Sequence, residues 1–152
     1  MKLAPAAAIA MLSVVPAAGE SILDPLLGAP GDCYFRFYDE THLNEHPGQR
    51  VESIFIAHDE VFQDPAGELT LRFGFSTRNG RRYEGVGICE GNVCGVEGDR
   101  GAFTLTPYRD GLRLEVDPVR GMSAEGAKDF IDLSESDDKV FLLFPASPRA
   151  CE

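Results

Sequence analysis

"ELTLRFGFSTRNGRRYEGVGICE", residues 68–90, decides the fold class of this chain. Apolar side chains occupy every second position from Leu69 to Phe75, which is typical of a β-strand with one buried face. Asn79-Gly80 follows, and it predicts a type I′ hairpin turn because both residue types tolerate a positive φ angle. The stretch therefore predicts two antiparallel strands joined by a tight turn.

The same pattern continues on both sides of this hairpin. Gly91-Asn92 and Asp110-Gly111 predict two more hairpin turns. Residues 123–133 are ambiguous between a short helix and an irregular loop. Further strands are predicted at 33–38, 50–58, 93–99, 102–108, 112–116 and 139–144. We predict an all-β fold, an antiparallel meander of about seven or eight strands closed into a small barrel, with a sandwich as the alternative.

The N-terminal residues are expected to lie outside this fold. "MKLAPAAAIAMLSVVPAAGE" has one basic residue, an apolar run and then small residues, so residues 1–19 are predicted to be a secretory signal peptide. Residues 20–32 are rich in proline and glycine and are predicted to be an irregular arm. Residues 33–152 are predicted to be a single β domain. We expect a soluble protein that is periplasmic or secreted.

The chain is strongly acidic, with a formal net charge of −11. Removing residues 1–19 takes away one basic residue, Lys2, so the charge becomes −12. Such a surface repels phosphate backbones and anionic lipid, so nucleic acid is not an expected partner, and no segment after the signal predicts membrane insertion. A cationic envelope protein fits the charge, although the charge also has a plainer explanation in solubility.

Four cysteines follow the signal, and an even number in a small exported domain indicates two disulfides. A two-residue loop at Gly91-Asn92 places Cys89 directly opposite Cys94 on paired strands. The remaining pair is Cys33 with Cys151, which would join the two ends of the domain. We expect structural disulfides rather than a redox pair.

"HLNEHP", residues 42–47, holds the best candidate metal ligands. A short helical turn is predicted near 39–46, with Asp39 as its N-cap, and Pro47 ends it because the residue before a proline avoids the α region. His42 and His46 with a carboxylate, Asp39 or Glu45, could bind zinc, with His58 as a remote further ligand.

A structural role for these histidines is the favoured alternative. Glu45 precedes the second histidine instead of following the first, so the H-E-x-x-H pattern of zinc proteases is not present. We therefore predict a one-turn corner anchored by Leu43, with zinc binding as the less favoured interpretation and no other cofactor.

Three segments carry a resemblance: "CYFRFYDETHLNEHPGQRV" (33–51), "CEGNVCGVEGDRGAFTL" (89–105) and "DDKVFLLFP" (137–145). They are similar to small exported bacterial proteins of unassigned function that carry C-Y-x-R-x-Y-D…H-L-x-x-H-P-x-Q. The resemblance covers most of the chain after the signal. It implies export and disulfides and identifies no catalytic position.

These observations predict a soluble periplasmic binding module that is not an enzyme. In size, charge and disulfide use it resembles the periplasmic lysozyme inhibitors, which suggests an inhibitor-like protein-binding domain. The alternatives are a carrier of a small ligand or metal that uses His42 and His46, and a structural protein of the envelope. Likeness of fold does not by itself establish function.

Overall fold

The computed structural model of the chain describes residues 21–62, 64 and 67–152, so the predicted signal peptide at 1–19 lies outside the described residues. Short α-helices α1 and α2 span Asp24–Leu27 and Glu40–Glu45, and 3-10 turns span Leu133–Glu135 and Pro148–Cys151. The strands are β1 Cys33–Phe37, β2 Val51–His58, β3 Leu69–Thr77, β4 Arg82–Glu90, β5 Val93–Val96, β6 Ala102–Tyr108, β7 Gly111–Val116, β8 Ser123–Gly126, β9 Phe130–Asp132 and β10 Val140–Pro145.

Eight of these strands form a closed antiparallel barrel, which confirms the predicted fold class. Strands β1 to β7 follow one another around it, β10 closes it between β7 and β1, and β8 and β9 extend the sheet from β4. The connection between β1 and β2 contains α2, and we call that end of the barrel the helix end. The opposite end, where β1 begins, is the arm end.

Apolar side chains fill the inside of the barrel. In β3, Leu71, Phe73 and Phe75 all point inward, as the alternation predicts, and their exposed fractions are at most 3%. The rings of Phe73 and Phe103 meet edge to face at 5.6 Å between centroids. Burial of large apolar side chains of this kind contributes about 1.5–3 kcal/mol each. The other large, fully buried side chains of the barrel strands are Ile54, Ile56, Phe103, Leu105, Leu112, Leu114, Phe141 and Leu143.

Residues 21–32 close the arm end of the barrel. The segment expected to be irregular contains the single turn α1, with Pro25 in its first turn, and the side chains of Leu23 and Leu27 are fully buried in the main core. Ser21 Oγ donates a hydrogen bond to the carbonyl of Gly91 at 2.8 Å, which ties the arm to the β4–β5 turn. At the helix end, Leu43 and Leu133 belong to the same core.

Two predicted turns differ from the structure. At the β3–β4 turn, Gly80 has a φ of +76°, but Asn79 has no positive φ. The loop is therefore not type I′; it has three residues, 78–80, closed by the Thr77 N–H donating to the Arg81 carbonyl at 2.9 Å. The turn predicted at Asp110-Gly111 lies one residue earlier, because Tyr108 pairs with Gly111.

Residues 123–133 form neither a helix nor an irregular loop, the two structures the sequence left open. They contain the hairpin of β8 and β9, which pairs with β4 through two residue pairs. The Asp132 carboxylate fixes this hairpin, since its Oδ1 accepts from the backbone N–H of Ser134 at 2.8 Å and of Met122 at 3.2 Å.

Both predicted disulfides are confirmed. Cys89 and Cys94 are paired residues of β4 and β5 with 3.9 Å between their Cα atoms. Cys33 and Cys151 are linked across 118 residues of sequence with a Cα separation of 6.1 Å. The latter braces the place where the barrel closes, since β1 and β10 share two residue pairs there.

Candidate functional site

The corner between β1 and β2 has the local structure that its sequence predicts. The Asp39 carboxylate accepts a hydrogen bond from the His42 backbone N–H at 2.8 Å and so caps α2. The helix ends at Glu45, and His46 has non-helical angles, φ −123° and ψ 68°, directly before Pro47. Leu43 anchors the turn in the core.

The two imidazoles of this corner lie close together with their ring planes tilted. Their ring centroids are 4.3 Å apart with 32° between the planes, and the His42 ring also lies 4.6 Å from the ring of Tyr38. His42 Nε2 is 3.1 Å from the Gln49 side-chain oxygen.

Two of the three predicted further ligands, Asp39 and His58, make hydrogen bonds elsewhere. The Asp39 carboxylate is used as the helix cap, and His58 is at the other end of the barrel, where its Nδ1 bonds to the Leu27 carbonyl at 3.0 Å. Within 21–62, 64 and 67–152, no three His, Cys, Asp or Glu side chains are grouped so that they could hold a metal ion. Zinc binding thus stays a prediction that rests on the His42 and His46 imidazoles.

A second feature of the helix end is a cavity of about 390 Å³. It lies between the α2–β2 loop, the β3–β4 turn and β9, and we call it the cationic cavity because Arg50, Arg78 and Arg81 line it. The remaining lining residues are Pro47, Gln49, Thr77, Asn79, Tyr83, Asp129, Phe130, Ile131 and Glu135.

Backbone carbonyls hold two of its arginines in place. Arg78 donates from Nε to the Gln49 carbonyl at 2.7 Å and from one terminal nitrogen to the carbonyls of Leu43 and His46, both at 2.6 Å. Arg50 donates to the Asp132 carbonyl at 2.8 Å. These guanidinium groups are therefore oriented by neutral acceptors, and no ion pair joins them to a carboxylate of the described residues.

The third arginine is part of a small polar network. Arg81 forms an ion pair with Asp129 at 2.8 Å, and both side chains are about half exposed, 59% and 45%. The buried Tyr83 donates its hydroxyl to the other oxygen of Asp129 at 3.2 Å. Asp129 is thus engaged by two donors, whereas Arg81 keeps further N–H groups for other contacts.

Asp132 stabilises the β8–β9 hairpin next to the cationic cavity. Burial by itself raises the pKa of its carboxyl, but hydrogen bonds from Ser134, Met122 and Ser123 outweigh burial and hold that pKa below the ordinary value of 3.8. The carboxylate form is therefore the one that stabilises the β8–β9 hairpin.

An acidic groove of about 380 Å³ lies on the outer face of β4. Glu84 stands directly opposite Glu125 on β8, an arrangement of like charges that destabilises a sheet, and Glu97 lines the same groove. Glu125 is paired with Arg100 at 3.3 Å. In the described part of the chain the carboxylates of Glu84 and Glu97 have no ion-pair partner.

The two disulfides indicate an oxidising, extracytoplasmic environment, because thiols are kept reduced in the cytosol. Among the residues the structure describes, no helix is both long enough and apolar enough to span a bilayer.

The sequence predicted the histidines as candidate ligands, but it did not predict the cationic cavity. Arg50 precedes β2 and Arg78 follows β3, and the antiparallel pairing of these strands brings them together, with the Arg78 N–H donating to the Arg50 carbonyl at 3.0 Å. The available hint was local, since Arg78 and Arg81 flank the Asn79-Gly80 turn.

No protein-family model, no curated protein and no solved structure matches this chain.

Proposed function

We propose that the chain is a soluble periplasmic binding module without catalytic activity, which binds a cationic protein of the cell envelope in the manner of an inhibitor. The packed barrel carries this proposal. Small barrels that hold a ligand keep space in their interior. Here the interior is filled by Phe73, Phe103 and Phe141, which are at most 1% exposed.

The closed ends of the barrel support the same conclusion. Leu23 and Leu27 fill the arm end, and Leu43 and Leu133 fill the helix end, all as parts of one core. A ligand in the barrel mouth would have to displace these side chains. Binding is therefore better placed on the outer surface, where a protein partner makes contact.

Charge favours a cationic partner. The chain has 25 acidic and 14 basic residues, which gives it a formal net charge of −11. The negative field of this net charge would steer a basic protein toward the chain.

The experiment is inhibition of a cationic lysozyme by the mature, oxidised protein, with a pull-down from envelope extract in parallel. Inhibition is expected to be strong at about 0.05 M salt and weak at about 0.5 M salt, because salt screens interactions between exposed charges. A Glu84→Gln/Glu97→Gln variant is compared with Glu40→Gln/Glu45→Gln, which removes equal charge at α2. Absence of lysozyme inhibition together with no basic protein in the pull-down would refute the proposal.

The alternative function is metal carriage by His42 and His46, and the closeness of their rings, 4.3 Å between centroids, favours it. Native mass spectrometry with and without zinc tests it. Uptake that disappears in His46→Ala would support this function, and no uptake at micromolar zinc would end it.

A further inference from the structure

The free edge of β9 opens into the cationic cavity. β9 is the last strand of the sheet, and it pairs with β8 on one side. The backbone N–H of Leu133 donates to Met122, and that of Gly126 donates to Asp129, so the hydrogen-bonded pairs fall at alternate residues. The N–H and C=O of Phe130 therefore point away from β8.

The direction of this edge is supported by an observed contact. The carbonyl of Asp132, which by the same alternation points away from β8, accepts a hydrogen bond from Arg50 at 2.8 Å. Phe130, Asp129 and Ile131 all line the cavity. An extended chain lying in the cavity would thus meet one backbone donor and one backbone acceptor at Phe130, which is how a strand adds to a sheet edge.

Three arginines line the cavity against two carboxylates, Asp129 and Glu135, so positive charge is in excess and favours an anionic group on such a chain. Arg78 and Arg50 are fixed by carbonyls, and Arg81 keeps donors beyond its bond to Asp129. The second terminal nitrogen of Arg78 is not used in these bonds, and a guanidinium group oriented in advance donates to a carboxylate at little entropic cost. The excess of arginine in the cavity contrasts with the chain as a whole, which carries a net charge of −11.

Apolar surface lies beside these charges. Pro47 and Ile131 line the cavity, and the side chain of Phe130 is 55% exposed at its rim. The volume of about 390 Å³ falls within the range of sites for small ligands and peptide ends. We propose that the cationic cavity binds the C-terminal carboxylate of an extended peptide, which pairs with Phe130 at the free edge of β9.

This site is separate from the acidic groove at Glu84 and Glu97, and the inference does not depend on a cationic partner. Its test uses three probes: acetyl-Ala-Val-Ala-Val with a free carboxylate, the same peptide with a C-terminal amide, and succinate. Binding is followed by amide chemical shifts and by calorimetry at low salt.

The free-acid peptide is expected to shift the amides of Arg78, Arg81 and Phe130 saturably and to slow hydrogen exchange at the Phe130 amide. The amidated peptide should bind about tenfold more weakly or worse, because a charged hydrogen bond is lost. Arg81→Gln should weaken binding by about the same factor. Its matched control is Arg113→Gln, which removes a comparable exposed ion pair, Arg113 with Glu115, on β7.

Several results would overturn the inference. They are no saturable shift with the free-acid peptide, equal binding of acid and amide, or equal loss in the Arg113→Gln control. Succinate that binds as tightly as the peptide, with no change in Phe130 exchange, would show a site for small organic acids and would refute pairing at β9. Circular dichroism is used to check that both variants fold, and binding is compared only for folded protein.

Discussion

Removing the disulfide between Cys33 and Cys151 should destabilise the protein far more than removing the one between Cys89 and Cys94. The two bonds close loops of very different length, with sequence separations of 118 and 5. In the chain-entropy model these lengths correspond to about 5 kcal/mol and about 2 kcal/mol of unfolding free energy. The difference, about 3 kcal/mol, is the quantity that follows from the structure.

The comparison of two double variants isolates this difference. Cys33→Ala/Cys151→Ala and Cys89→Ala/Cys94→Ala each remove two buried sulfur atoms, since all four residues are at most 5% exposed. The packing losses are therefore similar and largely cancel. At roughly 3 °C per kcal/mol for a domain of this size, the midpoints of thermal unfolding should differ by about 10 °C.

The assay is urea unfolding followed by far-UV circular dichroism, with the oxidised wild type as reference. The denaturant slope should increase most in Cys33→Ala/Cys151→Ala, because its unfolded chain loses the longer constraint. Equal destabilisation of the two variants, or a larger loss in the hairpin variant, would refute the reasoning from loop length.

Three further predictions concern the ends of the barrel. Asp39→Ala should lower the free energy of unfolding by about 1 kcal/mol through loss of the α2 cap, measured by urea unfolding, whereas Asp39→Asn should keep most of it; equal losses would contradict capping. Leu27→Ala should lower the free energy of unfolding by about 2–5 kcal/mol, and Leu26→Ala, at a partly buried position, should lower it less. A loss below about 0.5 kcal/mol in Leu27→Ala would show that the arm does not close the core. Folding lowers the pKa of Asp132, so the stabilisation by its carboxylate is complete above about pH 5 and is lost as the pH falls through the folded pKa. Asp132→Asn should therefore show a shallower fall in the free energy of unfolding between about pH 5 and pH 3. An unchanged slope in a pH series of urea unfolding would contradict this.

Sequence reasoning worked where local rules decide the structure. Alternation at Leu71, Phe73 and Phe75 predicted the inward face of β3, and Asp39 and Pro47 predicted both ends of α2. The pairing of Cys89 with Cys94 followed from a two-residue loop that the structure contains.

It failed where distant contacts decide. Residues 123–126, Ser-Ala-Glu-Gly, have little β-propensity, and they form β8 because β4 and the Asp132 carboxylate hold them. Nothing in the sequence indicated that Leu23 and Leu27 of the arm are buried, because that burial depends on contact with the barrel end. The cationic cavity depends on the β8–β9 hairpin, which the sequence did not predict and which forms one wall of the cavity beside the β3–β4 turn.

The pairing of the first strand with the last has a consequence for the order in which the molecule assembles. Cys89 and Cys94 can be oxidised as soon as their own hairpin forms, and hairpins form within about 1–10 μs. Cys33 must wait for Cys151, so the barrel remains open until nearly the whole chain has been delivered and β10 can reach β1. During that interval β1 and β7, the two neighbours of β10 in the closed barrel, each have an unpaired edge, and such edges favour aggregation until β10 pairs with both.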